Sequence, residues 1–277
     1  MDVSIIIINY NTPQLVIECI NSIKTFTDNL AYEIIIIDNA SSDNSKSILG
    51  SLDDIYYIYS DNNLGFGKAN NLGARYAKGE YLFFLNSDTL LTGNAIYTLF
   101  KFCEKSPKNI GACGMILKDS DGNDIHSAGS YPSILKECFL KPSISSYPNN
   151  AVDKGDYISV DYITGADLFM SKTLFEEIDG FDKDFFMYYE ETDLQKRIKN
   201  KGYEIALIKD RDIIHLEGGS FDIKSQKTPI RRLQMQLESR FIYMKKNTSL
   251  LEYYLFRLLY PIKAFPAALL FKCDLST

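Results

Sequence analysis

At 277 residues, 45% apolar and 24% charged, the chain is long enough to bury a full hydrophobic core and suits one large α/β domain with an appendage. Its formal net charge of -6 gives no overall attraction for polyanions, so a nucleic-acid binder is not expected. Five scattered cysteines (Cys19, Cys103, Cys113, Cys138 and Cys273) without CxxC spacing argue against a disulfide framework or a zinc site, and a reducing, cytoplasmic setting follows.

The N-terminus, MDVSIIIINYN, carries an apolar run too short for a signal peptide and reads as a buried strand. Residues 3–8 are mostly β-branched, as in a parallel strand covered on both faces. Thr12 and Pro13 then open a helix, with Thr12 able to cap it and Pro13 suited to its first position. Residues 33–37 repeat the buried-strand pattern and run into the turn Asp38-Asn39-Ala40-Ser41. A third strand at 55–59 leads through a Gly/Asn loop to a helix around 67–77; a fourth at 80–85 ends in Asn86-Ser87-Asp88, with a helix near 94–105 beyond it. This alternation predicts βαβ units and a mostly parallel, Rossmann-like sheet over residues 1–110.

From 111 the pattern changes. Strands are expected at 112–117, 158–163, 166–170 and 203–208, and helices at 172–178 and 189–201, with 129–157 a long loop without regular structure. Residues 1–222 form one expected α/β domain, in halves at about 1–110 and 111–222, and 223–277 a helical extension mixing basic and aromatic residues. Residues 250–272 are rich in Leu, Phe and Tyr but are interrupted by charges and by Pro261 and Pro266. They suit an amphipathic segment on a membrane surface, or a dimer or core contact, better than a spanning helix.

In an open parallel sheet, ligands bind beyond the carboxyl ends of the strands. Three such ends carry polar residues: Asn9-Tyr10-Asn11, Asp38 and Asn86-Ser87-Asp88. Tyr10 offers a ring to stack on a base, Asp38 an acceptor for a ring N–H, and Asp88 a hard oxygen ligand for a divalent cation. Each would also serve as an ordinary loop or helix-cap residue. The loop Asn63-Leu64-Gly65-Phe66-Gly67-Lys68 lacks the third glycine of a dinucleotide fingerprint; it reads as a turn placing Lys68 near a diphosphate, or as a plain loop-to-helix turn. Glu190-Glu191-Thr192-Asp193 opens a helix in which Glu191 shares the inward face of Leu194 and Ile198, while Asp193 falls about 200° away on the outer side. An inward carboxylate suits a general base; acids in a first turn also simply complement the helix dipole. His215 ends a short strand before Gly-Gly and is either a structural residue or a second metal ligand.

Taken together, IIIINYNT, IIIDNASSD, NNLGFGKANNLG, GEYLFFLNSD, ITGADLFMSK, GFDKDFFMYYEETDL and IIHLEGGS resemble the family 2 glycosyltransferases of GT-A fold, in the branch of bacterial rhamnosyltransferases that build cell-surface polysaccharide. The resemblance covers residues 3 to about 247. It implies an inverting, metal-dependent enzyme that moves a sugar from a UDP- or dTDP-linked donor to a saccharide or lipid-linked saccharide. By the same resemblance, Tyr10 stacks on a pyrimidine that Asp38 hydrogen-bonds, and Ser87 lies by the ribose. Asp88 binds Mg²⁺ or Mn²⁺, and His215 approaches the metal or the diphosphate. Gly165, Ala166 and Asp167 line the donor sugar, and Glu191 is the base. Two positions depart from the family pattern: Asn86 stands at the first position of the DXD region, and Glu rather than Asp at the base. A sugar nucleotidylyltransferase lacks support, since no Gly-rich basic loop follows the first strand; a non-catalytic nucleotide-sugar or carbohydrate binder is the other alternative. The expected partners are the donor, the acceptor, an inner-membrane surface and a second copy of the chain.

Overall fold

The protein is described from a computed structural model covering residues 1–105, 109–140, 146–148, 150–216 and 228–273, without the side chains of 228–229 and 263–273. The chain opens as β1 (Val3–Asn9), α1 (Pro13–Phe26), β2 (Tyr32–Asp38), α2 (Ser45–Leu49), β3 (Tyr56–Tyr59), α3 (Phe66–Tyr76) and β4 (Tyr81–Asn86). Next come β5 (Thr89–Leu91), α4 (Ala95–Lys105), β6 (Ile110–Met115), β7 (Ala128–Gly129), α5 (Ile134–Phe139), β8 (Val152–Asp153), β9 (Tyr157–Val160) and β10 (Tyr162–Ile163). The remainder is β11 (Asp167–Ser171), α6 (Lys172–Glu177), α7 (Glu190–Asn200), β12 (Glu204–Ile208), β13 (Ile213–His215), α8 (Thr228–Asn247) and α9 (Leu250–Cys273).

A 9-stranded sheet of order β3-β2-β1-β4-β11-β6-β12-β9-β8 forms the centre. Strands β3, β2, β1 and β4 are parallel, as the βαβ pattern requires, while β11 runs antiparallel between β4 and β6. The isoleucine runs explain the centre: Ile5, Ile6, Ile7, Ile35, Ile36 and Ile37 are wholly buried, one face of each strand against α1 and α4 and the other against α3 and α7. Each such side chain contributes about 1.5–3 kcal/mol relative to exposure.

Several sequence expectations are corrected. The stretch 129–157 is not free of regular structure, since it holds α5 and β8. The strand expected at 158–163 is split: β9 joins the main sheet, while β10 leaves it to pair with β7. Thr12 does not cap α1 through its side chain. Its N–H and hydroxyl donate instead to Asn9 Oδ1, at 3.3 and 3.4 Å, because the loop after β1 folds back on the strand end. Apart from these corrections, α9 runs on through Pro261.

Candidate active site

The ends of β1, β2 and β4 lie level, because the parallel register sets Asn9 opposite Asp38 and Ile8 opposite Asn86. The two outer loops are laced together there. Asn9 Nδ2 and the Asn11 amide both donate to Ser41 Oγ, and the Ser42 amide donates to Asn11 Oδ1. Asn9 and Asn11 therefore shape the rim, and Asn11 and Ala40 adopt positive φ of 57° and 64° to do so. Tyr10, 40% exposed beside them, presents its ring outward. Asp38 is wholly buried, its Oδ1 accepting the Ser41 amide and its Oδ2 the Tyr57 hydroxyl at 2.7 Å. Burial and the Asp38 carboxylate together push the Tyr57 phenol up. Any ring N–H donated to Asp38 would share oxygens that already accept these bonds.

The next strand end carries the acid of the Asn-Ser-Asp turn. Asp88 is 4% exposed, and among the described residues its Oδ1 accepts no hydrogen bond of good geometry. Directly after it, β5 pairs antiparallel with β13, setting Thr89 opposite His215. The Leu216 amide donates to the Asp88 carbonyl, and His215 Nε2 comes to 3.3 Å from Asp88 Oδ1 and 3.4 Å from Asn86 Nδ2. With Nε2 unprotonated, its single lone pair is open either to the Asn86 side-chain amide or to a cation shared with the Asp88 oxygen. One carboxylate oxygen and one imidazole nitrogen fit a divalent cation that takes its other ligands from phosphate and water. Among the described residues there is no group of three or more metal-ligating side chains. Ser87 is buried in the same turn.

On the other side of the rim, α3 is preceded by Gly65, whose φ of +78° and closeness to Phe186 exclude a side chain; a Cβ would fall 2.0 Å from the Phe186 carbonyl oxygen. The Phe66 amide donates to that oxygen, tying the loop before α3 to the loop before α7. Lys68 is half-buried in the first turn of α3. Its neighbour Gly67 packs on Glu190, with 3.4 Å from its would-be Cβ to the Glu190 Cβ.

Glu190 and Glu191 open α7. Glu190 is 3% exposed and its Oε2 has no hydrogen-bond partner among the described residues; burial first, and the Glu191 charge second, push its carboxyl up to about 8. Burial also raises Glu191, whose Oε1 accepts the Thr192 hydroxyl. Glu191 is the more open of the two and lies against Gly165, 3.6 Å from that residue's would-be Cβ. Gly165 and Glu191, from distant segments, are thus brought together. Ala166 is buried and its carbonyl accepts the Asn86 amide, which joins this segment to the Asn-Ser-Asp turn. Asp167 differs: it is wholly buried in β11, its Oδ2 accepting the Met115 amide at 2.6 Å, and burial raises its carboxyl well above the ordinary range. Its side chain belongs to the sheet.

Asp193 is the clearest correction. The helical period puts it opposite Glu191, on the outer side, yet it is 3% exposed, bonded to Arg197 Nε at 2.8 Å and Asn247 Nδ2 at 2.9 Å. Helix α8 covers the face of α7 that the period alone leaves to solvent. The same helix holds the turn into α7. Ser239 donates to the Met187 carbonyl, and Arg240 Nε donates to the Tyr189 hydroxyl at 2.8 Å and pairs with Glu137 of α5 at 3.0 Å. Tyr188 and Tyr189 adopt φ of 73° and 68°, a strained pair immediately before the acids. No residue type in Tyr-Tyr-Glu-Glu signals that conformation, nor does any spacing signal the role of Arg240.

The family model described as "Glycosyl transferase family 2" matches residues 4–179. The chain belongs to glycosyl transferase family 2. It is 29% identical over 228 residues to the low-salt glycan biosynthesis hexosyltransferase Agl10 of Haloferax volcanii, covering 77% of this chain and 67% of that protein. It is 25% identical over 249 residues to the dTDP-rhamnosyl transferase RfbF of Shigella flexneri, covering 87% and 79%. Among solved structures, the mannosyltransferase PcManGT of Pyrobaculum calidifontis, in complex with GDP-Man and Mn²⁺, superposes with a TM-score of 0.62 at 17% identity, over 89% of this chain and 65% of that one. The fold of this family 2 glycosyltransferase is GT-A: a large mixed, mostly parallel sheet between helices, in accord with the sequence expectation.

Proposed function

We propose that this glycosyltransferase inverts the anomeric carbon of a UDP- or dTDP-linked sugar as it passes that sugar to a hydroxyl of a saccharide or lipid-linked saccharide. The observation that carries the reading is the convergence on one rim of the Tyr10 ring, the paired Asp88 and His215, and Glu191 against Gly165. Similarity to a dTDP-rhamnosyl transferase favours rhamnose as the sugar and surface polysaccharide as the product.

Asp88 and His215 would hold Mg²⁺ or Mn²⁺, which when bound supplies positive charge to a leaving diphosphate. Lys68 supports the same charge from α3. Tyr10 stacks on the base, and the laced loops of Asn9, Asn11 and Ser41 keep that platform in place. Glu191 accepts the proton of the acceptor hydroxyl as the oxygen bonds to the anomeric carbon. The bond from that carbon to the diphosphate oxygen breaks on the opposite face, and the nucleoside diphosphate leaves with the electron pair. Glu190, protonated beside it, leaves the negative charge to Glu191, as in other carboxyl pairs in which one member holds a proton. Residues 1–222 carry this chemistry and 223–277 support it, at a cytoplasmic membrane face where a lipid-linked acceptor is reached.

Thermal shift with UDP, dTDP and GDP sugars, each with and without Mn²⁺, tests the donor side, since a ligand that binds only the native state raises its midpoint. The expected result is stabilisation by a pyrimidine nucleotide that requires Mn²⁺. Stronger stabilisation by GDP would reject the base assignment, and transfer with retained configuration would reject the mechanism.

A further inference from the structure

We propose that the face shared by α9 and α5 docks on an anionic lipid surface. This names the surface for the membrane-bound acceptor proposed above and rests on that reading.

Helix α9 is apolar on two opposite sides. Phe256 is wholly buried, and Tyr253, Leu259 and Tyr260 pack with it against Tyr243 and Met244 of α8. Opposite them, Leu250 and Leu251 are each 71% exposed, Leu258 66% and Ile262 67%, with Tyr254 and Leu255 between them. At about 100° per residue these six side chains fill an arc of about 140° that contains no charge between residues 250 and 262. Arg257 borders one edge of it. The second contributor was invisible in the sequence: α5, which packs on α9, exposes Leu135 (61%) and Phe139 (63%), followed by Leu140. Two elements far apart in the chain thus present large apolar side chains on neighbouring helices, more than scattered surface residues amount to.

Charge selects the occupant. From residue 223 onward the sequence has ten Lys and Arg against three Asp and Glu, whereas residues 1–222 have twenty against thirty-three. The body is acidic and the segment carrying the apolar arc is basic. A second copy of this chain would bring two basic segments together, whereas anionic headgroups complement one. A helix that keeps one apolar face on the protein and the other outward suits the plane of the interface. No helix among the described residues is long and apolar enough to cross a membrane.

The test is flotation of the full-length protein with vesicles of equimolar phosphatidylglycerol and phosphatidylcholine, and with phosphatidylcholine alone. Binding to the anionic vesicles is expected, falling at high salt and reduced about tenfold or more by Leu258→Asp or Phe139→Asp. Both positions are highly exposed, and an unchanged thermal midpoint would certify folding. Because the chain has no tryptophan, Leu258→Trp adds a single reporter whose emission should shift to the blue with anionic vesicles alone. Absence of flotation and of the shift would overturn the proposal, as would Asp variants that float like the parent. Self-association without vesicles that Leu258→Asp abolishes, with no flotation, would assign the face to a second copy instead. Transfer to a soluble acceptor, measured on the same variants, keeps the two readings apart: its absence in the parent sinks the acceptor reading while flotation still judges the surface.

Discussion

His215 Nε2 lies 3.3 Å from Asp88 Oδ1, held there by the pairing of β13 with β5, the strand that starts immediately after Asp88. In the proposed cation site the two side chains work together, so Asp88→Ala should abolish the Mn²⁺-dependent part of nucleotide-diphosphate binding. His215→Ala should weaken it by about tenfold or more, as loss of one ligand does. Calorimetry with and without Mn²⁺ measures both; unchanged affinity in Asp88→Ala would remove this pair from the cation site.

Glu191→Gln should reduce turnover by about 10²–10⁴ while leaving nucleotide affinity intact. Glu190→Gln should cost less, since Glu190 already carries a proton near neutrality. Steady-state rates with donor and acceptor varied separately decide, and a larger loss from Glu190→Gln would exchange the two roles.

Glu190 also predicts a pH dependence of stability. Its folded-state carboxyl is pushed up to about 8, while an unfolded glutamate ionises near ~4.3, so the folded chain binds more protons between those values. Stability from this group is therefore full at low pH and falls as pH rises through that window. Glu190→Gln cannot ionise, so its stability relative to the parent should improve by about 2–4 kcal/mol between pH ~5 and pH ~8.5. Urea unfolding at the two pH values measures the difference; a constant difference would show that Glu190 ionises as an ordinary acid.

Arg240 touches no reacting group in the proposed mechanism, yet it bonds Tyr189, the strained residue before Glu190 and Glu191. Arg240→Gln should lower kcat by about ten- to a hundredfold with little change in donor KM, because it lets the acids drift rather than removing a contact to the nucleotide. Tyr189→Phe, which loses only the hydroxyl, should move kcat in the same direction. Equal changes in both constants would mean general destabilisation.

Gly65→Ala should destabilise the chain by about 3 kcal/mol or more, since positive φ and the Phe186 carbonyl both oppose a Cβ. Thermal unfolding reads this directly, and a neutral outcome would show that the two loops are not held together there.

What the sequence determined by itself was the part of the protein governed by local order. Runs such as Ile5–Ile8 and Ile34–Ile37 can only be strands covered on both sides, and their alternation with amphipathic helices leaves a parallel sheet whose polar ends form a rim. Asn9, Asp38 and Asp88 were legible for that reason: the first two end β1 and β2, and Asp88 lies in the turn directly after β4. Tertiary structure alone decided the rest, because those contacts depend on where distant segments pack. Helical period places Asp193 outward, but α8 buries it; no pattern in residues 129–157 announces α5; nothing in Tyr188-Tyr189 signals positive φ. His215 meets Asp88 only because β13 adds to β5, and Gly165 meets Glu191 only because β11 inserts antiparallel beside β4. A periodic pattern fixes which face of an element is apolar, whereas the partner of a polar side chain is fixed by the packing of the whole chain.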